Sequence, residues 1–331
     1  MTATAPWRVL TLAPIGERLM KGLLGEYEDR VELVFPATRD RAGLLAALPE
    51  AELVVADYTG RLRVDAEAVA AAPRLAFVQT PSVGTDSVDT AALAAAGVPV
   101  ANAAGANARA VAEWALGAAL ALLRHLVRAD RGVREGGWPQ RELLGAGIRE
   151  LHTLRVGIVG FGPVGEESAR LFGALGCEVS YWSRRRRPEA VAAYRELDDL
   201  LAHSDVLVLA LPLTPDTAGL LDAAKLALLP EKALLVNVAR GGIVPEDALL
   251  EALESGRLAG AALDVFEEEP PPADHPLRSH EKVLLSPHAA GGTGQAQINV
   301  ISAVRDNLVA VVNGRPVTNV VNDVDPQVRR R

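Results

Sequence analysis

The feature that most constrains the fold is a short apolar run followed at once by three spaced glycines. Residues 155–159 read Arg-Val-Gly-Ile-Val, and Gly160, Gly162 and Gly165 follow with the spacing Gly-x-Gly-x-x-Gly. The first glycine permits a tight turn, the second lets the backbone approach a pyrophosphate, and the third lets the next helix pack closely on the strand. The helical pattern of residues 166–175 would point free N–H groups at the phosphates. This turn predicts a dinucleotide-binding unit.

Apolar runs alternate with helical patterns along most of the chain. This alternation predicts parallel sheets with helices on both faces, and the near-continuous apolar runs suit strands buried on both sides. The predicted fold class is therefore α/β, with two doubly wound parallel-sheet domains. The predicted strands are residues 8–12, 31–35, 53–56, 76–80, 98–101, 155–159, 178–182, 206–209, 233–237, 260–263 and 283–286. Long helices are predicted over residues 107–128 and 295–313, and a disordered tail over residues 327–331.

Length and composition exclude several classes of protein. The 331 residues suffice for two domains, and 49% hydrophobic with 23% charged residues is typical of globular proteins. A net charge of −8 disfavours nucleic acid as a partner. No apolar run reaches the roughly 18 residues of a membrane span, and the amino terminus lacks signal-peptide features, so we expect a cytoplasmic protein without a membrane partner. Cys177 is the only cysteine, and no residue spacing suggests a metal site.

The predicted strand 178–182, which follows the glycine turn and its helix, ends in residues that bear on the choice of cofactor. An NAD enzyme usually has Asp or Glu there, beside the adenine ribose, whereas this chain has Ser183-Arg-Arg-Arg-Arg187. A serine and guanidinium groups would bind a 2′-phosphate that a carboxylate would repel. We therefore expect NADP(H) to be preferred, with NAD(H) possible, and direct contacts from Ser183, Arg184 and Arg185, while Arg186 and Arg187 are solvated. The alternative is a solvated basic turn in an enzyme that uses either cofactor.

Three later strand ends carry the groups needed for hydride transfer between a nicotinamide and a hydroxy acid. Such chemistry needs a cation for the substrate carboxylate, an acid/base for the hydroxyl proton, and a carboxylate that orients the base. Arg240, Glu269 and His288 follow the predicted strands 233–237, 260–263 and 283–286. Ligands bind at the carboxyl ends of parallel strands, so these side chains can converge. The acidic run that ends at Glu269 could instead be a solvated turn.

These segments, with the glycine turn, resemble the D-isomer-specific 2-hydroxyacid dehydrogenases, in particular their glyoxylate and hydroxypyruvate reductases. The resemblance runs from about Phe77 to Pro316, whereas the first 75 residues match only in pattern. The further motifs that carry it are Ser82-Val-Gly-Thr-Asp-Ser-Val-Asp89, Gly105-Ala-Asn-Ala-Arg-Ala-Val-Ala-Glu-Trp114, Leu211-Pro-Leu-Thr-Pro-Asp-Thr217 and His275-Pro-Leu277.

The resemblance implies a role for each matching residue. Arg240 would grip the substrate carboxylate and carbonyl oxygen, His288 would be the general acid/base, and Glu269 its carboxylate partner. Substrate would also be bound by the backbone amides of Val83 and Gly84. The residues implied to contact the cofactor are Gly160, Gly162, Pro163, Val164, Gly165, Ser183, Arg184, Arg185, Leu211, Pro212, Thr217, Val238, Ala239, Arg240, Asp264, His288 and Gly291. Among these, Asp264 would contact the nicotinamide amide, and Pro163 and Val164 the pyrophosphate.

The resemblance also implies a domain arrangement. A Rossmann cofactor domain, residues 104–287, would be inserted into a flavodoxin-like substrate domain made of residues 1–103 and the return segment and tail, 288–331. Substrate would bind in a cleft that closes to exclude water. Family members generally dimerise through the cofactor domain, so we expect a homodimer. Trp138 lies in a segment that resembles the region of the dimer contact. In hydroxypyruvate-reducing relatives a tryptophan there can reach the neighbouring active site, and a packing role is equally open.

The predicted function is an NAD(P)-dependent interconversion of a 2-keto acid and a D-2-hydroxy acid, with glyoxylate and hydroxypyruvate as first candidate substrates. Alternatives are a formate- or phosphite-type oxidiser of the same family, or a nicotinamide-sensing, corepressor-like binding protein. A phosphoglycerate dehydrogenase is less expected because the chain lacks the extra regulatory domain of many such enzymes. If Arg61 faces the substrate, an anionic substrate tail becomes plausible.

Overall fold

The computed structural model describes residues 5–331 as two compact units. The first unit extends to Asn107 and resumes over Gly294–Arg331, and the second comprises Ala108–Thr293. In sequence, the second unit is thus inserted into the first. The sequence predicts domain boundaries at 103/104 and 287/288. The substrate-binding and cofactor-binding roles of the two predicted domains stay predictions. Strands and helices are numbered below in chain order through the whole protein.

The first unit is built on a five-stranded sheet in which all strands are parallel, in the order β2-β1-β3-β4-β5. This is the flavodoxin-like order. Its strands are β1 (Trp7–Thr11), β2 (Val31–Val34), β3 (Leu53–Val55), β4 (Phe77–Gln79) and β5 (Val100–Ala101). Its helices are α1 (Glu17–Leu24), α2 (Arg41–Ala47), α3 (Ala66–Ala70), α4 (Thr90–Ala95) and α12 (Gly294–Val312).

Aspartates start three of these helices. The carboxylates of Asp40, Asp65 and Asp89 each accept a hydrogen bond from the backbone N–H three residues further on. Such a cap satisfies a helix N–H that has no partner within the helix, and removing one typically costs about 1 kcal/mol. The sequence thus marks where the short helices α2, α3 and α4 begin.

The carboxyl-terminal segment returns to this sheet. Asn307 of α12 is buried, donating to Gln79 Oε1 at 2.7 Å and accepting from Thr318 N at 2.9 Å. The prediction of a disordered tail is wrong. Val328 is only 6% exposed, and the Arg330 guanidinium lies 4.4 Å from the centre of the Trp7 ring. The contacts that hold the tail include this apolar anchor, this cation–π contact and an ion pair of Arg330 Nε with Glu52 Oε1 at 3.2 Å, which the mostly polar sequence did not reveal.

The second unit is built on a seven-stranded parallel sheet in the order β12-β11-β10-β9-β6-β7-β8. Counted from β6, this is the Rossmann order 3-2-1-4-5-6 with a seventh strand added, and the strand order reverses between β6 and β9. Its strands are β6 (Arg155–Val159), β7 (Glu178–Trp182), β8 (Ala193–Tyr194), β9 (Val206–Leu209), β10 (Ala233–Asn237), β11 (Leu258–Leu263) and β12 (Val283–Leu285). The two α/β parallel-sheet units confirm the predicted fold class.

Helices cover both faces of this second sheet. Alternate residues of its strands pack into two separate apolar clusters, and each cluster also contains helix residues. The helices are α5 (Ala108–Leu123), α6 (Leu126–Arg134), α7 (Gln140–Gly145), α8 (Pro163–Ala174), α9 (Leu197–Ala202), α10 (Ala223–Leu226) and α11 (Glu246–Glu254). Four short 3-10 helices complete the described elements, at Gly25–Tyr27, Leu48–Glu50, Leu151–Thr153 and Pro276–Arg278.

The single helix predicted over residues 107–128 is wrong. It ends at Leu123, His125 adopts a left-handed φ of 50°, and α6 continues at 60° to α5. The composition changes at this point: α5 buries an alanine-rich face, whereas none of the residues of α6 is buried. Within residues 5–331 no single helix is long and apolar enough to cross a membrane, and the pair α5–α6 meets that test only when joined across the bend.

Candidate active site

The predicted site residues of the second unit follow six of its seven strands, at the carboxyl end of each strand. They lie after β6, β7, β9, β10, β11 and β12, and these strands are all parallel. Because parallel strands end at the same edge of the sheet, the structure brings the predicted loops together at that edge. The residues predicted from sequence thus share one location within the unit.

The glycine turn has the form that a pyrophosphate needs. Gly160 has a φ of 96°, and a Cβ there would lie 2.5 Å from the carbonyl oxygen of Ala210. A Cβ on Gly165 would lie 2.1 Å from the Gly160 carbonyl oxygen, so α8 packs against the turn as only glycine allows. A Cβ on Gly162 would meet no atom within 4 Å, and no side chain caps α8. The first turn of α8, at Pro163 and beyond, can therefore receive an anion.

The loop after β7 carries the basic run. The Ser183 hydroxyl donates to the carbonyl oxygen of Arg185 at 2.7 Å. Arg184 and Arg185 are exposed, and within the described part of the chain neither guanidinium has a carboxylate partner. The guanidinium of Arg186 lies 5.6 Å from the centre of the Tyr194 ring. Two arginines thus remain available to a ligand, while a third rests on a ring.

The loop after β9 is braced by its own side chains. Thr217 is buried; its hydroxyl donates to the Pro212 carbonyl oxygen at 2.8 Å and accepts from Thr214 N at 2.7 Å. The buried Leu211 lies beside the glycine turn, since a Cβ on Gly160 would come within 2.8 Å of its Cβ. Beside the glycine turn, this loop therefore presents the apolar side chain of Leu211 and a backbone that Thr217 holds in place.

Arg240 is placed by a buried asparagine at the end of β10. Asn237 Oδ1 accepts from Ala239 N at 3.0 Å, and Asn237 Nδ2 donates to the Arg240 carbonyl oxygen at 3.0 Å. The guanidinium donates from Nη1 to the Ala239 carbonyl oxygen at 2.7 Å. A Cβ on Gly241 would lie 2.0 Å from the carbonyl carbon of Phe266. The loops after β10 and β11 are therefore in direct backbone contact.

Glu269 and His288, which the family resemblance pairs, are in contact. Glu269 Oε2 lies 2.7 Å from His288 Nδ1, and Glu269 Oε1 accepts from Phe266 N at 3.1 Å. The histidine side chain is 47% exposed and the glutamate side chain 36%. With Nδ1 engaged by the carboxylate, Nε2 is the ring nitrogen left to face a ligand.

Asp264, only 2% exposed, organises the loop that carries His288. Its carboxylate accepts hydrogen bonds from Ala289 N at 2.8 Å, Ala290 N at 2.9 Å and the Ser286 hydroxyl. Its carbonyl oxygen accepts from His288 N at 2.8 Å. His288 itself has a φ of 52°, in the left-handed region. These bonds hold the backbone on both sides of a residue whose conformation is intrinsically unfavourable. The contact between Asp264 and a nicotinamide amide stays a prediction.

A second histidine–carboxylate pair supports the loop that carries Glu269. His275 Nε2 lies 3.0 Å from Glu246 Oε2, and both side chains are largely buried. Because His275 Nδ1 accepts from Leu277 N at 3.3 Å, the proton is assigned to Nε2, which donates to Glu246. Glu246 and Glu267 exchange backbone-to-carboxylate bonds of 3.1 Å in both directions. This network fixes the loop to the start of α11.

Val83 and Gly84 follow β4 of the first unit. The Val83 carbonyl oxygen accepts from Asn102 Nδ2 at 2.7 Å, and the Gly84 carbonyl oxygen accepts from the Ser82 hydroxyl at 2.7 Å. Both carbonyl oxygens of this turn are thus occupied by side-chain donors, and carboxylate binding by the N–H groups of Val83 and Gly84 stays a prediction.

Sequence reasoning missed the residues that position the predicted ones. Asn237 and Glu246 were not singled out, although each has a signal in the sequence. Asn237 ends an otherwise apolar buried strand, where a polar side chain must find partners. Glu246 follows a proline at the start of a helix, but nothing in the sequence shows that its partner is His275, 29 residues away.

Comparison with known proteins gives the family. Residues 116–290 match the NAD binding domain of D-isomer specific 2-hydroxyacid dehydrogenases. The chain is 38% identical over 298 residues to a glyoxylate reductase of Aeropyrum pernix, covering 87% of this chain and 88% of that protein. It is 35% identical over 319 residues to a D-3-phosphoglycerate dehydrogenase of Archaeoglobus fulgidus, covering 95% of this chain but 59% of that protein. It thus spans about three fifths of that relative's length.

A solved structure has the same fold over nearly the whole chain. The NAD-dependent formate dehydrogenase of Staphylococcus aureus, in complex with NAD, is 29% identical with a TM-score of 0.82, covering 97% of this chain and 98% of that one. The family match extends over more than half of the chain, and the glyoxylate reductase is related over most of its length. The chain therefore belongs to the D-isomer specific 2-hydroxyacid dehydrogenases, a family of NAD-dependent oxidoreductases.

Proposed function

We propose that this enzyme interconverts a 2-keto acid and the corresponding D-2-hydroxy acid, with His288 as acid/base. The observation that carries the proposal is the 2.7 Å contact between Glu269 Oε2 and His288 Nδ1, on the loops after β11 and β12, the first of which contacts the loop that carries Arg240. A histidine oriented by a carboxylate at Nδ1 can hold a proton at Nε2 for transfer to a carbonyl oxygen. Formate oxidation breaks no O–H bond, so this pair favours a hydroxy acid over formate.

Each residue then has a defined task. When bound, the nicotinamide supplies the hydride for reduction or accepts it in the reverse direction. Arg240 binds the substrate carboxylate and polarises the carbonyl. During reduction, charged His288 gives its Nε2 proton to the forming alkoxide; during oxidation, the neutral ring takes the hydroxyl proton. Glu269 holds the ring through Nδ1 and so keeps Nε2 directed at the substrate oxygen.

The preferred cofactor is NADP(H), with NAD(H) as the weaker alternative. Support comes from the exposed guanidinium groups of Arg184 and Arg185 beyond β7, where no acid follows the strand. The glycine turn and the first turn of α8 would hold the pyrophosphate, with contacts from Pro163 and Val164. The remaining contacts would be made by residues of the loops that follow the other strands: Ser183, Leu211, Pro212, Thr217, Val238, Ala239, Asp264 and Gly291.

The test combines a substrate panel with one substitution. Oxidation of NADPH and NADH is followed with glyoxylate, hydroxypyruvate and 3-phosphohydroxypyruvate. We expect turnover of at least one keto acid and a higher kcat/KM with NADPH. His288→Ala should lower kcat by about 10²–10⁴-fold, because general acid–base catalysis contributes on that scale. His280→Ala is the matched control, because His280 precedes β12 whereas His288 follows it, and the Nδ1 of His280 accepts from Lys282 N at 3.2 Å. Tight cofactor binding without turnover would favour a binding protein, and a higher kcat/KM with NADH would reject the cofactor preference.

The enzyme is a homodimer formed through the second unit. Five of its large apolar side chains are exposed within one short stretch of α6, α7 and their connection: Leu126, Val127, Val133, Trp138 and Leu144. Concentrated apolar surface of this kind is usually covered by a partner, and a second copy of the chain is the occupant that the family resemblance implies. Light scattering should give twice the chain mass of 34.9 kDa, and Leu144→Glu should shift it towards one chain. A monomeric wild-type protein would refute the dimer.

A further inference from the structure

The four-arginine loop after β7 is closed by a single tyrosine. The Tyr181 hydroxyl accepts a hydrogen bond from Arg187 N at 2.8 Å and donates one to the Arg187 carbonyl oxygen at 3.1 Å. Both polar backbone groups of Arg187 are thus held by one side chain. Because Tyr181 lies within β7, residues 183–187 form a loop whose end is tied back to the strand from which it starts.

The Tyr181 ring cannot move freely, which fixes its hydroxyl in place. Tyr181 is fully buried, and its ring stacks on Phe161 with centroids 3.9 Å apart. The ring of Tyr194 meets it edge-on at 5.5 Å. Phe161 lies between Gly160 and Gly162, so the Tyr181 ring rests on the glycine turn while its hydroxyl closes the arginine loop. One side chain therefore links the turn for the pyrophosphate to the basic loop.

The contacts of this loop engage Arg186 and Arg187 but leave the side chains of Arg184 and Arg185 exposed. The Ser183 hydroxyl bonds the Arg185 carbonyl oxygen, and the Arg186 guanidinium rests on the Tyr194 ring. Arg187 is fixed through its backbone. The exposed side chains of Arg184 and Arg185 remain at the tip of a loop whose backbone is already constrained at two points.

We propose that Tyr181 is a positioning residue for cofactor specificity, which holds residues 183–187 in the conformation that accepts the 2′-phosphate of NADP(H). A loop that is ordered before binding loses less conformational entropy when the phosphate arrives, so its cations bind more tightly. The inference rests on the proposed preference for NADP(H). It predicts that the buried Tyr181 strengthens the binding of NADP(H) and leaves the binding of NAD(H) nearly unchanged.

The test uses Tyr181→Phe, which keeps the stacked ring and removes both hydrogen bonds. Tyr194→Phe is the matched control, because it removes a neighbouring tyrosine hydroxyl whose partner is Glu196 at 3.2 Å and leaves the ring under Arg186. Calorimetry measures binding of 2′,5′-ADP and 5′-AMP to each protein without cofactor or substrate. Tyr181→Phe should lower the affinity for 2′,5′-ADP by about fivefold or more, because two hydrogen bonds that order the loop are lost. The affinity for 5′-AMP should change by less than about twofold.

Hydrogen exchange gives a second, independent readout. In the wild-type protein without ligand, the Arg187 amide should be protected, and Tyr181→Phe should remove this protection while Tyr194→Phe retains it. Unchanged 2′,5′-ADP affinity in Tyr181→Phe, equal weakening of both ligands, or an unprotected Arg187 amide in the wild type would each overturn the inference. A wild type that binds 2′,5′-ADP no more tightly than 5′-AMP would instead reject the cofactor preference, and the inference with it.

Discussion

Asp264→Asn tests whether the buried carboxylate builds the loop that carries His288. In the wild type, one carboxylate oxygen accepts from Ala289 N and the Ser286 hydroxyl, and the other accepts from Ala290 N. Asparagine has the same shape but only one oxygen, so in either orientation of the amide one backbone N–H faces an NH₂ group. At least one charge-assisted hydrogen bond is lost, and a buried N–H is left unsatisfied.

The expected cost follows from these contacts. A hydrogen bond to a charged group contributes about 1.5–3 kcal/mol, and an unsatisfied buried donor costs a similar amount. We expect the free energy of unfolding of Asp264→Asn to fall by about 2–3 kcal/mol. Since 1 kcal/mol shifts the Tm of a unit of this size by roughly 2–4 °C, Tm should fall by about 4–12 °C. A displaced His288 should also lower kcat by about tenfold or more.

The assay must separate this role from a contact with the cofactor. Thermal unfolding and hydrogen exchange are therefore measured without cofactor, where a nicotinamide contact cannot contribute. Protection should be lost at the amides of Ala289 and Ala290 in Asp264→Asn. Ser286→Ala, which leaves both amide bonds to the carboxylate, should show a smaller loss of stability and keep this protection. An Asp264→Asn protein with wild-type Tm and unchanged exchange in the absence of cofactor would refute the reasoning.

Three further outcomes follow from the structure. Gly165→Ala places a methyl 2.1 Å from the Gly160 carbonyl oxygen, so the turn must shift and calorimetry should show cofactor affinity reduced by about tenfold or more; unchanged affinity would contradict this. Asn307→Leu removes a buried amide with satisfied partners in the first unit and should lower the free energy of unfolding by about 2–4 kcal/mol in denaturant titrations; a loss below about 0.5 kcal/mol would count against it. Burial opposes ionisation of Asp205, but the hydrogen bonds and charge of Arg155 outweigh it and keep the pKa of Asp205 below its usual value. Its folded-state pKa is depressed, so the stability it contributes is present above an unfolded pKa of about 3.9 and is lost as pH falls through the lower folded-state value. The stability difference between wild type and Asp205→Asn should therefore shrink in acid, and a difference that grows there would contradict this sign.

Much of the fold can be predicted from the sequence because the strands are buried on both faces. The predicted strands 155–159, 178–182, 206–209 and 233–237 coincide with β6, β7, β9 and β10. The two-residue edge strand β8 was missed, since so short a strand has no apolar periodicity of its own. The bend at His125 was also missed, because an arginine-rich continuation of an alanine-rich helix has favourable helix propensity throughout.

The candidate site was predictable as a set of residues but not as a set of contacts. Arg240, Glu269 and His288 stand out because each follows an apolar strand and carries a side chain suited to proton or carboxylate chemistry. The hydrogen bonds of Asp264 depend on how residues 286–290 turn back over β11, which the sequence does not show. Local loop geometry therefore had to be observed before Asp264 could be seen as a support for His288.

The position of the arginine loop within the second sheet has a consequence for how this enzyme can change over evolution. The loop lies between β7 and β8 at one border of the sheet, and its tip residues Arg184 and Arg185 touch no buried core. If this loop binds the 2′-phosphate as proposed, substitutions at the tip would alter the choice of nucleotide at little cost in folding. His288, by contrast, is tied to the interior through Asp264. Lineages of this protein should therefore exchange cofactors far more readily than they exchange reaction chemistry.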